Sequence, residues 1–233
     1  SQNGLELKLK EQPLDQLSIA LSQFHIGLAL FALAKYDEAF QAQQESLKIR
    51  TQILGDNTSE LAPCMDQIGK FYSKKAQYNE AYNWYERALN IRKQSATPEE
   101  QYTISRSYTD IGGIFYRRGD YNTALEYYNK AFENLNFDPN TQFSEEAEVS
   151  EEVGAVLAKT LHNVGLLNKI QGKFDDALKY FNNALTIRKK IYNDRHVDIA
   201  DSLCSIGSIY SSKGQYEEAL EYYNQAAERQ KLI

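Results

Sequence analysis

The side chains best suited to chemistry are scattered through this 233-residue chain. Three histidines, His25, His162 and His196, lie far apart, with no H-x-x-H spacing to grip a metal. Cys64 and Cys204 form no C-x-x-C pair, and neither has an identifiable histidine partner to activate a thiol. Two distant cysteines also exclude a disulfide framework and fit a reducing compartment. Gly112-Gly113 falls inside a helical pattern and reads as close packing, not as a phosphate loop. Carboxylates are plentiful but lie on helix faces that read as solvated surface. These residues predict a non-enzymatic protein with no metal and no cofactor.

Hydrophobic residues make up 42% and charged residues 25%, the balance of an ordinary folded chain. Mean hydropathy is -0.59, and no apolar run approaches the roughly 18 residues of a membrane helix. The first residues carry no basic and apolar leader pattern, so a cytoplasmic location is expected. A net charge of -6 and a pI near 5.2 argue against nucleic acid or an acidic membrane as partners.

The elements that position these residues come from a repeat. Five segments align on a glycine: Gly27, Gly69, Gly112, Gly165 and Gly207, spaced by 42, 43, 53 and 42 residues. Twelve residues after each comes an alanine: Ala39, Ala81, Ala124, Ala177 and Ala219. Just before that alanine sits Tyr36, Tyr78, Tyr121, Phe174 or Tyr216. Each unit reads as two helices broken by a turn, with Gly119, Gly172 and Gly214 as left-handed caps and Ala34 and Ala76 in their place in repeats one and two. The small residues mark where the two helices cross, and the second helix repeats apolar residues at helical spacing. One hairpin cannot bury its own apolar face, so neighbours must stack.

These columns resemble the tetratricopeptide repeat over nearly the whole chain. The period exceeds the usual repeat of about 34 residues and is similar to the long repeats of kinesin light chains. Their A-L-x-I-R run is matched at Ala88-Leu89-Asn90-Ile91-Arg92 and Ala184-Leu185-Thr186-Ile187-Arg188. Their helix start is echoed at His196-Val197-Asp198-Ile199-Ala200. The resemblance implies an all-α solenoid of antiparallel helical hairpins coiled into a right-handed superhelix. Its expected parts are repeats at 13–55, 56–95, 96–135, 149–193 and 194–233, with an acidic insertion at 136–148. Residues 1–12 are expected to end the second helix of an earlier repeat; the alternation Leu5-Leu7-Leu9 leaves a short strand open. Further repeats or other domains in a longer chain are expected.

In such arrays the first helices line the concave wall. Counting from the glycines puts Lys70, Lys74, Arg106, Arg117, Lys159 and Lys169 there, a basic stripe set against Asp66. A concave wall focuses such a field, and arginine binds carboxylates bidentately. The column two before the glycine, which includes Asp110 and Asn163, can hydrogen-bond; asparagines in similar columns of kinesin light chains hold a peptide backbone, and the resemblance carries that role to Asn163. Tyr116 and Leu166 are expected to form an apolar pocket. The implied partner is a protein or extended peptide with acidic and apolar residues. The implied role is an interaction scaffold of the cargo or adaptor kind. Co-chaperone arrays clamp a C-terminal carboxylate with a Lys and an Asn around the glycine, and no such pair occurs here.

Repeat one differs. Its wall, Leu21, Phe24, Leu28 and Phe31, is apolar, the mark of a contact patch. A preceding segment or a homodimer would cover it. A regulatory sensor or structural oligomerisation module is therefore the other functional reading. The insertion holds Phe137, Phe143 and glutamates 145, 146 and 148, with Ser144 a plausible helix start. It reads either as a longer loop or as a mimic of the acidic ligand lying in the groove.

Overall fold

The computed structural model describes residues 2–95, 97, 100–144, 146–192 and 196–230, with side chains from residue 15 onward. Among them are ten α-helices and no strand. The fold is the all-α class of antiparallel helical hairpins expected of the repeat. It divides into two compact units, Ser1–Pro98 and Glu99–Ile233. The first holds α1 (Gln2–Ala32), α2 (Tyr36–Leu54), a 3-10 turn (Ser59–Leu61), α3 (Ala62–Lys74) and α4 (Tyr78–Ser95). The second holds α5 (Gln101–Arg118), α6 (Tyr121–Asn134), α7 (Glu151–Ile170), α8 (Phe174–Ile191), α9 (Val197–Ser212) and α10 (Tyr216–Gln230). Consecutive helices pair as hairpins, and α2 packs on α3, α5 and α6 on α7, and α8 on α9.

The glycine column works through one contact. A methyl group on Gly69, Gly112, Gly165 or Gly207 would sit 3.0, 2.5, 2.6 or 3.0 Å from the ring of Tyr85, Tyr128, Phe181 or Tyr223. Each ring stands sixteen residues on, in the second helix. In repeat one Gln43 takes the ring's place over Gly27 and donates to the Phe24 carbonyl at 2.9 Å. The alanine column is buried throughout.

The turn is equally regular. Gly119, Gly172 and Gly214 have φ of 81°, 73° and 77°, and Ala34 and Ala76 hold 59° and 57°. At every turn the next residue donates back six positions inclusive, as Gln77 does to Tyr72 and Asp120 to Phe115, the Schellman pattern. Alanine pays about 1–2 kcal/mol in the left-handed region because its Cβ crowds the following carbonyl.

Two expectations are corrected, and of the two readings of the insertion the longer loop holds. Residues 2–12 belong to one unbroken helix with the first helix of repeat one, α1, with no turn between. The helix after the insertion begins at Ser150, whose Oγ accepts from the Val153 amide; Ser144 instead closes a turn at Glu146. The insertion does not occupy the first-helix wall. Phe137, Phe143 and Val149 pack on the core built by Tyr128, Phe132, Leu157 and Leu161. Buried Asn183 of α8 donates to the Thr141 carbonyl and accepts from the Phe143 amide, at 2.9 and 3.0 Å. One second-helix amide thus pairs the loop backbone as a strand neighbour would.

The glycine contact predicts opposite signs at adjacent positions. Gly112→Ala should lower stability by about 1–3 kcal/mol through overpacking against Tyr128. Gly113→Ala, with nothing near its methyl, should raise it by about 1 kcal/mol through helix propensity. Urea midpoints compare the two, and Ala76→Gly should be stabilising in the same assay.

Candidate functional site

In the second unit α5, α7, α8 and α9 enclose a cavity of about 480 Å³. Three of the expected groove residues line it: Arg106 from α5, and Lys159 and Asn163 from α7. Their spacing puts them there. Lys159 and Asn163 are four apart on one helix face, and α5 packs beside α7. The remaining polar lining is Tyr102, Glu152, His162, Arg188, Tyr192, Asp198 and Asp201.

The cations are less free than their count implies. The Lys159 ammonium reaches Asp110 at 2.6 Å, and the Asp110 side chain is only 8% exposed. Lys169 donates to Ser208 Oγ at 2.9 Å. Arg106 is exposed and lies 5.8 Å from the Tyr102 ring centroid, a long cation–π contact. Arg117 is exposed at the end of α5. Burial drives up the pKa of the Tyr128 hydroxyl. Tyr116 packs beside Tyr121 on the core of α5–α8, whereas Leu166 packs on the core of α8–α10. These two residues therefore support separate cores.

In the first unit Lys70 is half-buried and Lys74 exposed. Asp66, expected on the wall, is instead buried in a bidentate pair with Arg92, at 3.1 and 2.5 Å. A carboxylate with a guanidinium directly behind it is drawn inward, so it does not oppose the lysines from the wall. On α1 Leu21 is 49% exposed, while Phe24, Leu28 and Phe31 are half-buried. Ile19 and Ile26, also exposed, lie on the opposite side of the same helix.

His162 and Arg188 are the cavity's buried polar floor. The Arg188 Nη1 group lies 3.4 Å from His162 Nδ1, and donates to the Asp198 carbonyl at 2.9 Å and to Ser202 Oγ at 2.6 Å. Burial lowers the Arg188 pKa from its usual range, partly opposed by the Asp198 and Asp201 carboxylates. Burial, reinforced by Arg188, lowers His162 to about 4, so the neutral ring offers Nδ1 as an acceptor. Sequence reasoning left Arg188 as a motif letter and missed Tyr102 and Tyr192. The one available signal was the lone histidine at the position where repeat two has Asp66. Among the described residues no His, Cys, Asp and Glu group could hold a metal ion, and no helix is long and apolar enough to cross a membrane.

A tetratricopeptide repeat profile matches residues 17–94 and 156–231, and a second one matches 105–134. Kinesin light chain-related 1 of Arabidopsis thaliana is 24% identical over 189 residues, covering 81% of this chain and 29% of that protein. The chain thus spans under a third of that curated relative's length. Among solved structures, BtubC (BKLC) from P. vanneervenii superposes with a TM-score of 0.69 at 17% identity, covering 99% of this chain and 87% of that one. The Rap conjugation gene regulator of the plasmid pLS20, in complex with the Phr* peptide, gives 0.72 at 20% identity, covering 92% and 54%. At these identities the structures show a shared fold.

The buried histidine sets a pH dependence. The unfolded ring takes up its proton near pH 6.5, the folded one only near 4. Protons therefore favour the unfolded chain as pH falls through that window. The loss should reach on the order of 2 kcal/mol by pH 5. Urea midpoints at pH 7 and pH 5 should separate clearly for the wild type and much less for His162→Gln. Equal separation in both would assign the effect to other groups.

Proposed function

The chain belongs to the tetratricopeptide repeat family, a scaffold for protein interactions, and we propose that it is a non-enzymatic peptide-binding module. Its ligand is an extended peptide carrying acidic residues and a large apolar anchor. One observation carries this reading: Arg106, Lys159 and Asn163 line a single cavity of about 480 Å³ together with the rings of Tyr102 and Tyr192. A cavity of that size holds one or two side chains. The exposed Arg106 favours a carboxylate, and the rings favour an aromatic. Arg117 and Lys169 extend the positive face in the second unit, and Lys70 and Lys74 provide one in the first. Peptide capture of this kind suits a cargo or adaptor role like that of kinesin light chains, whose Arabidopsis relatives the chain matches in part.

The apolar face of α1 favours a second reading, an oligomerisation module. Leu21 is 49% exposed on it, beside half-buried Phe24, Leu28 and Phe31. Light scattering separates the two: a stable dimer that Leu21→Lys dissolves supports the second reading.

Fluorescence anisotropy tests the first. An acidic peptide with a tryptophan anchor should bind, and a basic one should not. Binding should weaken with salt and fall about tenfold or more in Arg106→Glu, with smaller losses in Lys70→Glu and Arg117→Glu. Equal binding of both peptides, or no binding of the acidic one, would overturn it.

A further inference from the structure

Three repeats carry an arginine twenty-three residues after the glycine: Arg50, Arg92 and Arg188. Each turns to the residue three before its own glycine. Arg50 stands 5.6 Å from the ring centroid of Phe24 and donates to the Glu60 carbonyl at 2.9 Å. Arg92 closes the bidentate pair with Asp66, and both side chains are under 10% exposed. Arg188 meets His162. Repeats one and four share the carbonyl contact, ten residues on, so the arginine also ties its helix to the start of the next hairpin.

Repeat four lacks the carboxylate that repeat two has. Arg188 is only 6% exposed, and its hydrogen bonds reach a neutral ring, a carbonyl and a hydroxyl. All of them leave from Nη1. Its Nε is buried without a partner. A buried guanidinium bonded only to neutral acceptors keeps much of its desolvation cost. The Asp198 and Asp201 carboxylates line the same cavity and act on the charge at longer range. Arg188 itself forms part of the cavity wall. Repeat two has filled the equivalent position from within; repeat four leaves it to be filled from outside.

We propose that this cavity is a binding site for a single ligand carboxylate, which pairs with Arg188 in repeat four as Asp66 pairs with Arg92 in repeat two. The inference deepens the peptide-binding reading and rests on it for the source of the carboxylate, an aspartate or glutamate side chain of the peptide. It also narrows the ligand. Arg106 and Lys159 stand on the α5 and α7 side of the cavity, whereas Glu152, Asp198 and Asp201 contribute acids from the start of α7 and from α9. One carboxylate is attracted; a run of acids is repelled by these three. The preferred peptide has an isolated acid beside an aromatic, with neutral or basic neighbours.

The test uses the whole chain and two probes, acetyl-Trp-Asp-Lys-amide and acetyl-Trp-Asn-Lys-amide. Proton–nitrogen NMR reads the Nε–H of Arg188 directly, with the resonance assigned by its loss in Arg188→Lys. The aspartate probe should shift that resonance saturably and bind at least tenfold more tightly than the asparagine probe. His162→Asp supplies the missing carboxylate internally. It should raise the urea midpoint and abolish the Arg188 shift. No saturable shift, equal affinity for the two probes, or binding undiminished in His162→Asp would each overturn the proposal. The outcomes also separate the two readings. If the tryptophan-anchored acidic peptide binds wild type and His162→Asp alike, the carboxylate site fails and the groove stands. If that peptide binds neither while the aspartate probe shifts Arg188, the groove fails and the carboxylate site stands.

Discussion

Two helices of a hairpin can approach closely only where one of them has no side chain, and the rest of this structure follows from that contact. The ring of Tyr128 rests where a Gly112 methyl would stand, so the ring's position sets the register of α6 on α5. The turn must then fall a fixed distance away. From glycine to left-handed cap is seven residues in every repeat, about two helical turns. The Schellman bonds close the last turn of the first helix at that point and reverse the chain. Repeat one meets the same constraint with different chemistry. Gln43 fills the space and spends its amide donor on the Phe24 carbonyl, while Ser46 donates to the Ala20 carbonyl at 2.6 Å.

What could be read from the sequence were the features that depend on near neighbours. Helix type, turn position and the left-handed sites, alanines included, are determined within a few residues. They repeat five times, so chance patterns average away. The ring sixteen residues beyond the glycine in repeats two to five was passed over, because its purpose requires knowing which faces cross. The insertion was beyond such reading. Ser144 and Ser150 are both followed by glutamates, and local capping rules favour neither. Ser144 is taken up by a turn at Glu146 directly after the segment that Asn183, forty residues away, fastens at Thr141 and Phe143, and Ser150 caps α7.

Charge was the least legible property because formal charge ignores partners. Lys159 counts as one positive charge in the sequence, yet its ammonium rests on a largely buried Asp110 carboxylate. Asp66 counts as one negative charge on a groove wall, yet it is turned inward to Arg92. The surface field of an array is set by the charges left over after such pairing. Those are residues whose stems reach solvent, such as Arg106, and residues whose partner column has changed.

The changed column makes the arginines informative. Arg50, Arg92 and Arg188 occupy one position of the repeat and face a phenyl ring, a carboxylate and an imidazole. Only the carboxylate neutralises the guanidinium. Facing Phe24, Arg50 is partly exposed, although its Nε is buried without a partner as that of Arg188 is. Arg188 has neither remedy: it is as buried as Arg92, and it faces a ring that the same burial holds neutral. Were His162 protonated, it would set a second buried cation against the first, so it remains an acceptor near pH 7. A repeat that keeps the costly arginine while giving up its internal counter-charge retains a polar site that no residue of its own hairpin completes.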